Sequence, residues 1–383
     1  MKARPLVMIP GPIELEPAVT EAMARPAKSH LAPSFMDAFA RVLAGLRAVF
    51  EAPDAQPFVV AGSGTLAMEM AVANAVERGD RAVVVDTGYF SARMADILER
   101  HGAEVTRVSA ALGAVPDLAE VERAVAEARP KVVTVTHVDT STGVLAPVEA
   151  VARLAREHGA LSIVDGVCSV GGELLRMGDW GVDLALTASQ KALGAPPGLA
   201  IVVASKRAMD AWRARKTKVA AYYADFGAWL PIHEAYAAKK PAYFATPPVQ
   251  LVEALDASLA SLLAEGMPAR VARHVRVARA FRAAWSALGL KTLPASDDVA
   301  AHTLSAVYYP PGVDASLVAR VAEEGVVVAG GLHPDARTKY FRVGHMGATD
   351  ASEALATVGA IERALGAPGA GVAAAQAVLG TRR

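Results

Sequence analysis

The stretch "DLALTASQKALGAPPG", residues 183–198, places Lys191 where an ammonium group gains little: four of the six residues before Ser189 are apolar, and small residues follow it. A poorly solvated lysine is biased towards its neutral amine, the form that adds to an aldehyde. Asp165 ends the run "LSIVD", a solvent-poor place for an acid that lacks a cationic partner. Gly62-Ser63-Gly64-Thr65 follows the run "PFVVA" and opens a helical pattern, so its main-chain N–H groups are suited to a phosphate. Phe90, in "TGYFSAR" at another strand–helix junction, offers a flat face.

Together these residues meet the needs of pyridoxal phosphate. Its aldehyde takes an amine, its ring nitrogen takes an acid that keeps it protonated, its phosphate takes a cup of donors, and its ring takes a flat neighbour. Each feature alone has a plainer reading. "VVAGSGTLAMEM" fits Gly-x-Gly-x-x-Ala, and Asp86, ending "VVVD", stands where a ribose ligand would. That stretch by itself is a tight structural turn, some other phosphate site or a dinucleotide fingerprint. Asp165 alone reads as a cap or turn residue, Phe90 as core, and Lys191 as a side chain snorkelling from a strand end. Convergence on successive strands of one sheet is what joins them into a site.

The elements that must position them are short apolar runs alternating with amphipathic segments. "PFVVA", "RAVVVD", "EVTRVSA", "KVVTVTHV" and "ALSIVDGV" read as strands, with helices expected over Gly64–Val76, Phe90–Arg100, "DLAEVERAVAEA" and "PVEAVARLAREHG". Runs of this type suit strands covered on both faces, so the fold class expected is α/β with a mostly parallel sheet between helices. From Leu251 the pattern changes to two long helices, then "LSAVYYP", a helix, "VVVAGG", "KYFRVG" and a last helix, a compact α+β unit. The expected division is an arm over 1–20, a large domain over 21–258 and a small domain over 259–383. The tail "APGAGVAAAQAV" reads as poorly tied down.

At 383 residues and 53% apolar composition the chain has ample material for a core. Its 39 basic residues balance 39 acidic ones, which argues against a nucleic-acid partner. The single Cys168 excludes an internal disulfide and a cysteine-based zinc cluster, and no metal site is expected. No run suits a membrane span, the opening lacks a leader's apolar core, "GTRR" is no peroxisomal address, and a cytoplasmic location is the expectation.

"THVDTSTGVL", "VDGVCSVGG", "WGVDLALTASQKALGAPPGL", "AYFATPPVQL" and "KYFRVGHMG" resemble, in order, the class V aminotransferases of fold type I, in particular the alanine–glyoxylate branch with its yeast form. "IPGPIELEPAVTEAM" and "SHLAPSF" resemble it too, so the likeness runs from about residue 8 to about residue 365. The resemblance implies that Lys191 bonds the cofactor aldehyde and that Asp165 partners the ring nitrogen. It sets Thr140 near the phenolic oxygen, Val167 under the ring and Phe90 over it, where relatives often carry Trp. Ser63, Gly64, Thr65 and Gln190 would hold the phosphate, Thr65 standing where some relatives have His. Tyr243 and Thr246 would reach the phosphate of a second subunit, making a homodimer with shared active sites. Arg342 would grip the substrate carboxylate, Gly11 would line the substrate pocket with bare main chain, and His137 would be a supporting hydrogen-bond partner.

The implied reaction moves the amino group of a small amino acid, alanine first, to glyoxylate, giving pyruvate and glycine. Serine–pyruvate, serine–glyoxylate and pyridoxamine–pyruvate exchange use nearly the same residues and stay open beside it. A cysteine desulfurase needs a mobile nucleophilic cysteine in a later loop, and Cys168 lies just beyond Asp165 instead. Outside the family stand an NAD-dependent dehydrogenase, on the glycine turn, and a binding protein without turnover, against which the presence of both Lys191 and Arg342 argues.

Overall fold

The computed structural model describes residues 4–367 and 369–380; residues 1–3 of the expected arm, Pro368 and the final three residues lie outside them. The chain enters through β1 (Leu6–Val7) and two helices, α1 (Pro17–Ala24) and α2 (Pro33–Val49). Both helices begin at proline, whose fixed φ and missing N–H suit a first helical position. Strands and helices then alternate through β2 (Gln56–Ala61), α3 (Gly64–Ala75), β3 (Arg81–Asp86), α4 (Tyr89–Arg100), β4 (Glu104–Ser109), α5 (Leu118–Ala128) and β5 (Val132–Thr136). A hairpin of β6 (Val138–Asp139) and β7 (Val144–Leu145) leads to α6 (Val148–Glu157), followed by β8 (Leu161–Asp165), β9 (Leu184–Ala188) and β10 (Leu199–Ala204). Helices α7 (Lys206–Arg213), α8 (Phe226–Ala237), α9 (Val249–Glu265) and α10 (Met267–Ala287) come next. The last part holds β11 (Leu304–Tyr308), α11 (Ser316–Glu323), β12 (Val326–Val327), β13 (Ala329–Gly330), β14 (Tyr340–Gly344), α12 (Ala351–Leu365) and α13 (Ala370–Gly380).

The main sheet has seven strands in the order β2-β10-β9-β8-β5-β3-β4, all parallel to their neighbours except β10, which is antiparallel on both sides. Alternate residues of each strand face opposite sides. Val83 and Val85 join the core of Phe35, Phe39 and Leu43, whereas Ala82 and Val84 join that of Met68, Met94 and Phe226. The mostly parallel, doubly covered sheet is therefore the one its apolar runs imply. Leu259 and Leu262 of α9 still belong to the core under the main sheet. From Val277 the chain packs on a separate core of Phe281, Trp285, Phe341, Val343 and Met8.

This topology removes the dinucleotide reading. β2, which carries the glycine turn, is an edge strand paired only with antiparallel β10. A dinucleotide fold sets that strand at the centre of a parallel sheet. Asp86 is occupied as well: its Oδ1 accepts Ser91 Oγ–H at 2.7 Å and the Gly88 N–H at 3.2 Å, closing the turn into α4.

Two local expectations need correction. "VVVAGG" is not one strand, because β12 pairs with β1 and β13 with β14, and the partner changes at buried Val328. The Ala/Gly-rich tail is not loose: it forms α13, packed on α10 and α12, with Val372, Ala375 and Leu379 in the C-terminal core. Its composition looks flexible, but small residues let helices approach closely, and Glu362 answers the unpaired N–H groups of its first turn. That buried carboxylate accepts from Gly369 N at 3.1 Å, from Val372 N at 3.0 Å and from Gly371 N. Glu362→Ala is expected to lower unfolding free energy in urea by about 1–3 kcal/mol. Amide exchange should accelerate first over 370–380; an unchanged midpoint with unchanged exchange there contradicts this account of the tail.

Candidate active site

β8 and β9 run parallel, so their C-terminal ends deliver Asp165 and, one turn later, Lys191 to the same edge. The turn is fixed by Ser189, whose Oγ donates to Pro196 O at 2.6 Å and accepts the Leu199 N–H at 3.2 Å. Lys191 is 9% exposed, and its Nζ donates to the carbonyl of Pro10 in the N-terminal arm. Burial pulls its pKa down; the Arg342 charge adds to that, while Cys168 and Asp165 oppose it. Gly11, at φ +91°, lies so close that an added Cβ would sit 2.5 Å from Lys191 Cδ and 2.9 Å from Nζ. The arm thus roofs the amine with bare main chain.

Asp165 is 2% exposed, and the Val167 N–H donates to its Oδ1 at 3.0 Å. Burial pushes its carboxyl up to about 6, against the pull of that hydrogen bond and of the Arg93 and Lys191 charges. Val167 also abuts the Gly62–Thr65 turn, its Cγ2 lying 3.0 Å from where a Gly64 Cβ would stand. Ser63 caps α3 without a side-chain bond, and both Ser63 and Thr65 are exposed. Thr65 Oγ1 accepts from Arg93 Nη1 at 2.9 Å.

Asp139 is a residue whose role the sequence reading missed. Fully buried, it accepts the N–H groups of Phe90 at 3.0 Å and Ser91 at 3.3 Å on Oδ2. On Oδ1 it accepts Ser141 N–H at 2.9 Å and Ser141 Oγ–H at 2.6 Å. One carboxylate therefore holds both the start of α4, with Phe90, and the loop carrying Thr140. The approach leaves no room for a side chain at Gly88, where a Cβ would meet Ser141 Oγ at 2.7 Å and Asp139 Cγ at 2.8 Å. "VDTST" signals only the local half of this role, since an Asp side chain commonly bonds the main-chain N–H two residues on, here that of Ser141. From β14, Arg342 crosses to the same loop: Nη1 donates to Thr140 O at 3.1 Å and Nε to Gly330 O at 2.9 Å. Nη2 carries neither of these bonds and is left for a further acceptor.

Other expected residues lie apart. His137 makes its hydrogen bonds through main chain, N–H to Asp165 O at 2.9 Å and O from Ala146 N–H at 2.8 Å. Its buried ring Nδ1 has no partner among the described residues and desolvation lowers its pKa to about 4, so the bond it makes to Asp165 comes from its main chain. The ring lines a groove with Glu173, Trp180 and His302, of about 650 Å³. Tyr243 and Thr246 are exposed, the Tyr243 ring lying 5.7 Å from that of His30. Cys168 is 1% exposed among Ala192, Leu304 and Met346, its thiol pushed up by burial, unlike a mobile nucleophile.

The residues around Lys191 suit pyridoxal phosphate. Gln190 keeps a buried amide oxygen without a partner among the described residues, and a half-turn of the amide, equally compatible with its shape, presents an NH₂ donor to an anion. Asp165 is a buried acid whose ionised form calls for a cation. The first N–H groups of α3 have no partner within the helix.

Residues 18–346 match the family model "Aminotransferase class-V". The chain is 41% identical to alanine–glyoxylate aminotransferase 1 of Saccharomyces cerevisiae, over 91% of this chain and 94% of that one. It is 37% identical to the L-aspartate–glyoxylate aminotransferase of Paracoccus denitrificans, over 97% and 95% of the two chains. The crystal structure of a Nostoc sp. alanine–glyoxylate aminotransferase superposes with a TM-score of 0.89 at 34% identity, covering 95% of this chain and 96% of the other. With a family model over most of its length and relatives this similar along nearly the whole chain, the protein belongs to the class V aminotransferases, enzymes that move amino groups with pyridoxal phosphate.

Proposed function

We propose that the chain transfers the amino group of alanine to glyoxylate, yielding pyruvate and glycine. The observation that carries the reading is Lys191 under the main chain of Pro10 and Gly11, with Asp165 and Arg342 near enough for their charges to act on its amine. A roof that touches the lysine side chain favours a donor with a very small side chain. Glyoxylate is named in the activities of all three relatives described above, while the donors differ.

In this reading residues 21–258 hold the cofactor and 259–383 bring Arg342. Lys191 supplies the amine that bonds the cofactor aldehyde. Ser63, Gly64, Thr65 and Gln190 hold the phosphate, joined by Tyr243 and Thr246 of a second subunit, whose exposure on their own chain supports a homodimer. Phe90 and Val167 would hold the ring between them, Thr140 would offer a hydroxyl to its phenolic oxygen, and the Asp165 carboxylate would partner its ring nitrogen. When bound, pyridoxal phosphate supplies an electron-withdrawing ring that stabilises the charge left at the donor Cα. Arg342 takes the donor carboxylate on its planar fork and so fixes which Cα bond stands perpendicular to that ring. Burial biases Lys191 Nζ towards its neutral form, and a free amine at that place would take the donor Cα proton. The single cysteine suits a cytoplasmic enzyme, and no described helix is long and apolar enough to cross a membrane.

Alanine added to the yellow protein is expected to bleach the visible band and release pyruvate, and glyoxylate to restore the band and release glycine; faster bleaching by serine contradicts the donor assignment. Sedimentation at twice the chain mass checks the pairing. Arg342→Ala should lower kcat/KM for alanine by about a hundredfold or more, the scale of losing a desolvated charge pair. An equal loss with an amine that lacks a carboxylate contradicts the grip.

A pH test follows from Asp165. Its folded pKa of about 6 lies above the ordinary 3.8 because burial favours the neutral acid. The folded chain therefore binds more protons than the unfolded chain between those values, and the group's contribution falls as pH rises through that window. Without cofactor, Asp165→Asn should gain on the wild type between about pH 4 and pH 6, by about 3 kcal/mol in full. A difference that stays flat with pH contradicts the burial of an unpartnered acid.

A further inference from the structure

Arg93 closes the stretch "TGYFSAR" with no role assigned to it there, yet it touches several parts of the site. It lies in the first turns of α4, half-buried, with its guanidinium carbon 5.0 Å from the centre of the Tyr89 ring and 4.8 Å from that of Phe90. A cation at that range is held by the ring faces. Its Nη1 reaches out of α4 to donate to Thr65 Oγ1 at 2.9 Å. That bond joins elements which start far apart: α3 follows β2, at one edge of the sheet, whereas α4 follows β3, beside the other edge. The phosphate turn and the ring face thus follow strands that lie towards opposite edges of the sheet, their helices α3 and α4 pack together on one face, and Arg93 adds a polar tie between them.

The bond also decides what Thr65 can do. A hydroxyl has one hydrogen and two lone pairs. With a lone pair filled by an arginine that can only donate, the Thr65 hydrogen remains free to be given away. The acceptor geometry available is that of an anion at the start of α3, where the helix dipole and free N–H groups already favour negative charge. The same guanidinium charge is felt at Asp165, where it acts against burial.

We infer that Arg93 is a positioning residue of the cofactor site, which fixes the Thr65 hydroxyl as a donor to the cofactor phosphate and holds the Phe90 face in register with that turn. The inference rests on the roles proposed for Thr65 and Phe90. It requires an arginine in particular. The Tyr89 and Phe90 rings stand at 85° to each other, and a guanidinium spreads its charge widely enough to reach both while one nitrogen bonds the hydroxyl, so lysine keeps the charge but gives up the simultaneous contacts.

The test compares pyridoxal phosphate with pyridoxal, which lacks the phosphate. Release of each from the loaded protein on dilution, and its re-uptake, are followed by the visible band. Arg93→Met is expected to weaken pyridoxal phosphate binding tenfold or more and to change pyridoxal binding less than twofold. Thr65→Val should weaken pyridoxal phosphate by a similar factor, and the double variant little beyond the larger single loss, because the two side chains act as one unit. Equal weakening of both aldehydes, or losses that multiply in the double variant, overturns the inference and leaves Arg93 a structural residue. Should Arg93→Met fail to fold, Arg93→Lys with and without Thr65→Val carries the same cycle. A wild-type protein that binds no pyridoxal phosphate sinks the cofactor roles themselves, whereas normal binding by wild type and Arg93→Met alike sinks only the role of Arg93.

Discussion

An amine withheld from water beside an acid withheld from water is the constraint around which this molecule is arranged. Neither group is comfortable in its own charged form. Burial drives Lys191 towards neutrality and Asp165 towards protonation, each moderated by the charge of the other. Such a pair gains from a ligand that consumes the amine in a covalent bond and offers the acid a cation. The parallel β8 and β9 bring the two together at one edge, and the antiparallel β10 closes the sheet between that edge and the glycine turn on β2.

The second dependence is on the arm. β1 pairs with β12, Met8 packs in the C-terminal core, and the Pro10 carbonyl receives the Lys191 amine. The N-terminal residues therefore join the C-terminal sheet to the site on the main sheet. Arg342 makes a second crossing, from β14 to the Thr140 loop. Asp139 makes a third, from that loop to the start of α4. The buried carboxylate costs desolvation, offset by four hydrogen bonds, and in return one side chain orients both the ring face and the hydroxyl loop.

Much of this was legible because strand burial writes itself as composition. "VVTVT", "LSIVD" and "LALTA" are apolar or β-branched almost throughout, and they are buried at every position. Asp165 ends β8 and Lys191 follows β9, as their places at the ends of those runs imply. What stayed hidden depends on partners distant in sequence. Nothing local in "SARMAD" says that Arg93 meets Thr65, and nothing in "VDTST" says that Asp139 receives the helix at Phe90. Helix α8 escaped reading because Pro231 lies inside it and apolar residues surround it. The tail misled through composition, since alanine and glycine signal looseness in an isolated chain but close approach in a packed one.

The claim on which the rest stands is that the amine at position 191 is the covalent anchor of the cofactor. Borohydride reduction of the protein in the presence of pyridoxal phosphate, followed by peptide mass mapping, reads it directly. The account predicts a single reduced pyridoxyl adduct on the peptide bearing Lys191, absent in Lys191→Ala. An adduct on another lysine, or none at all, contradicts it.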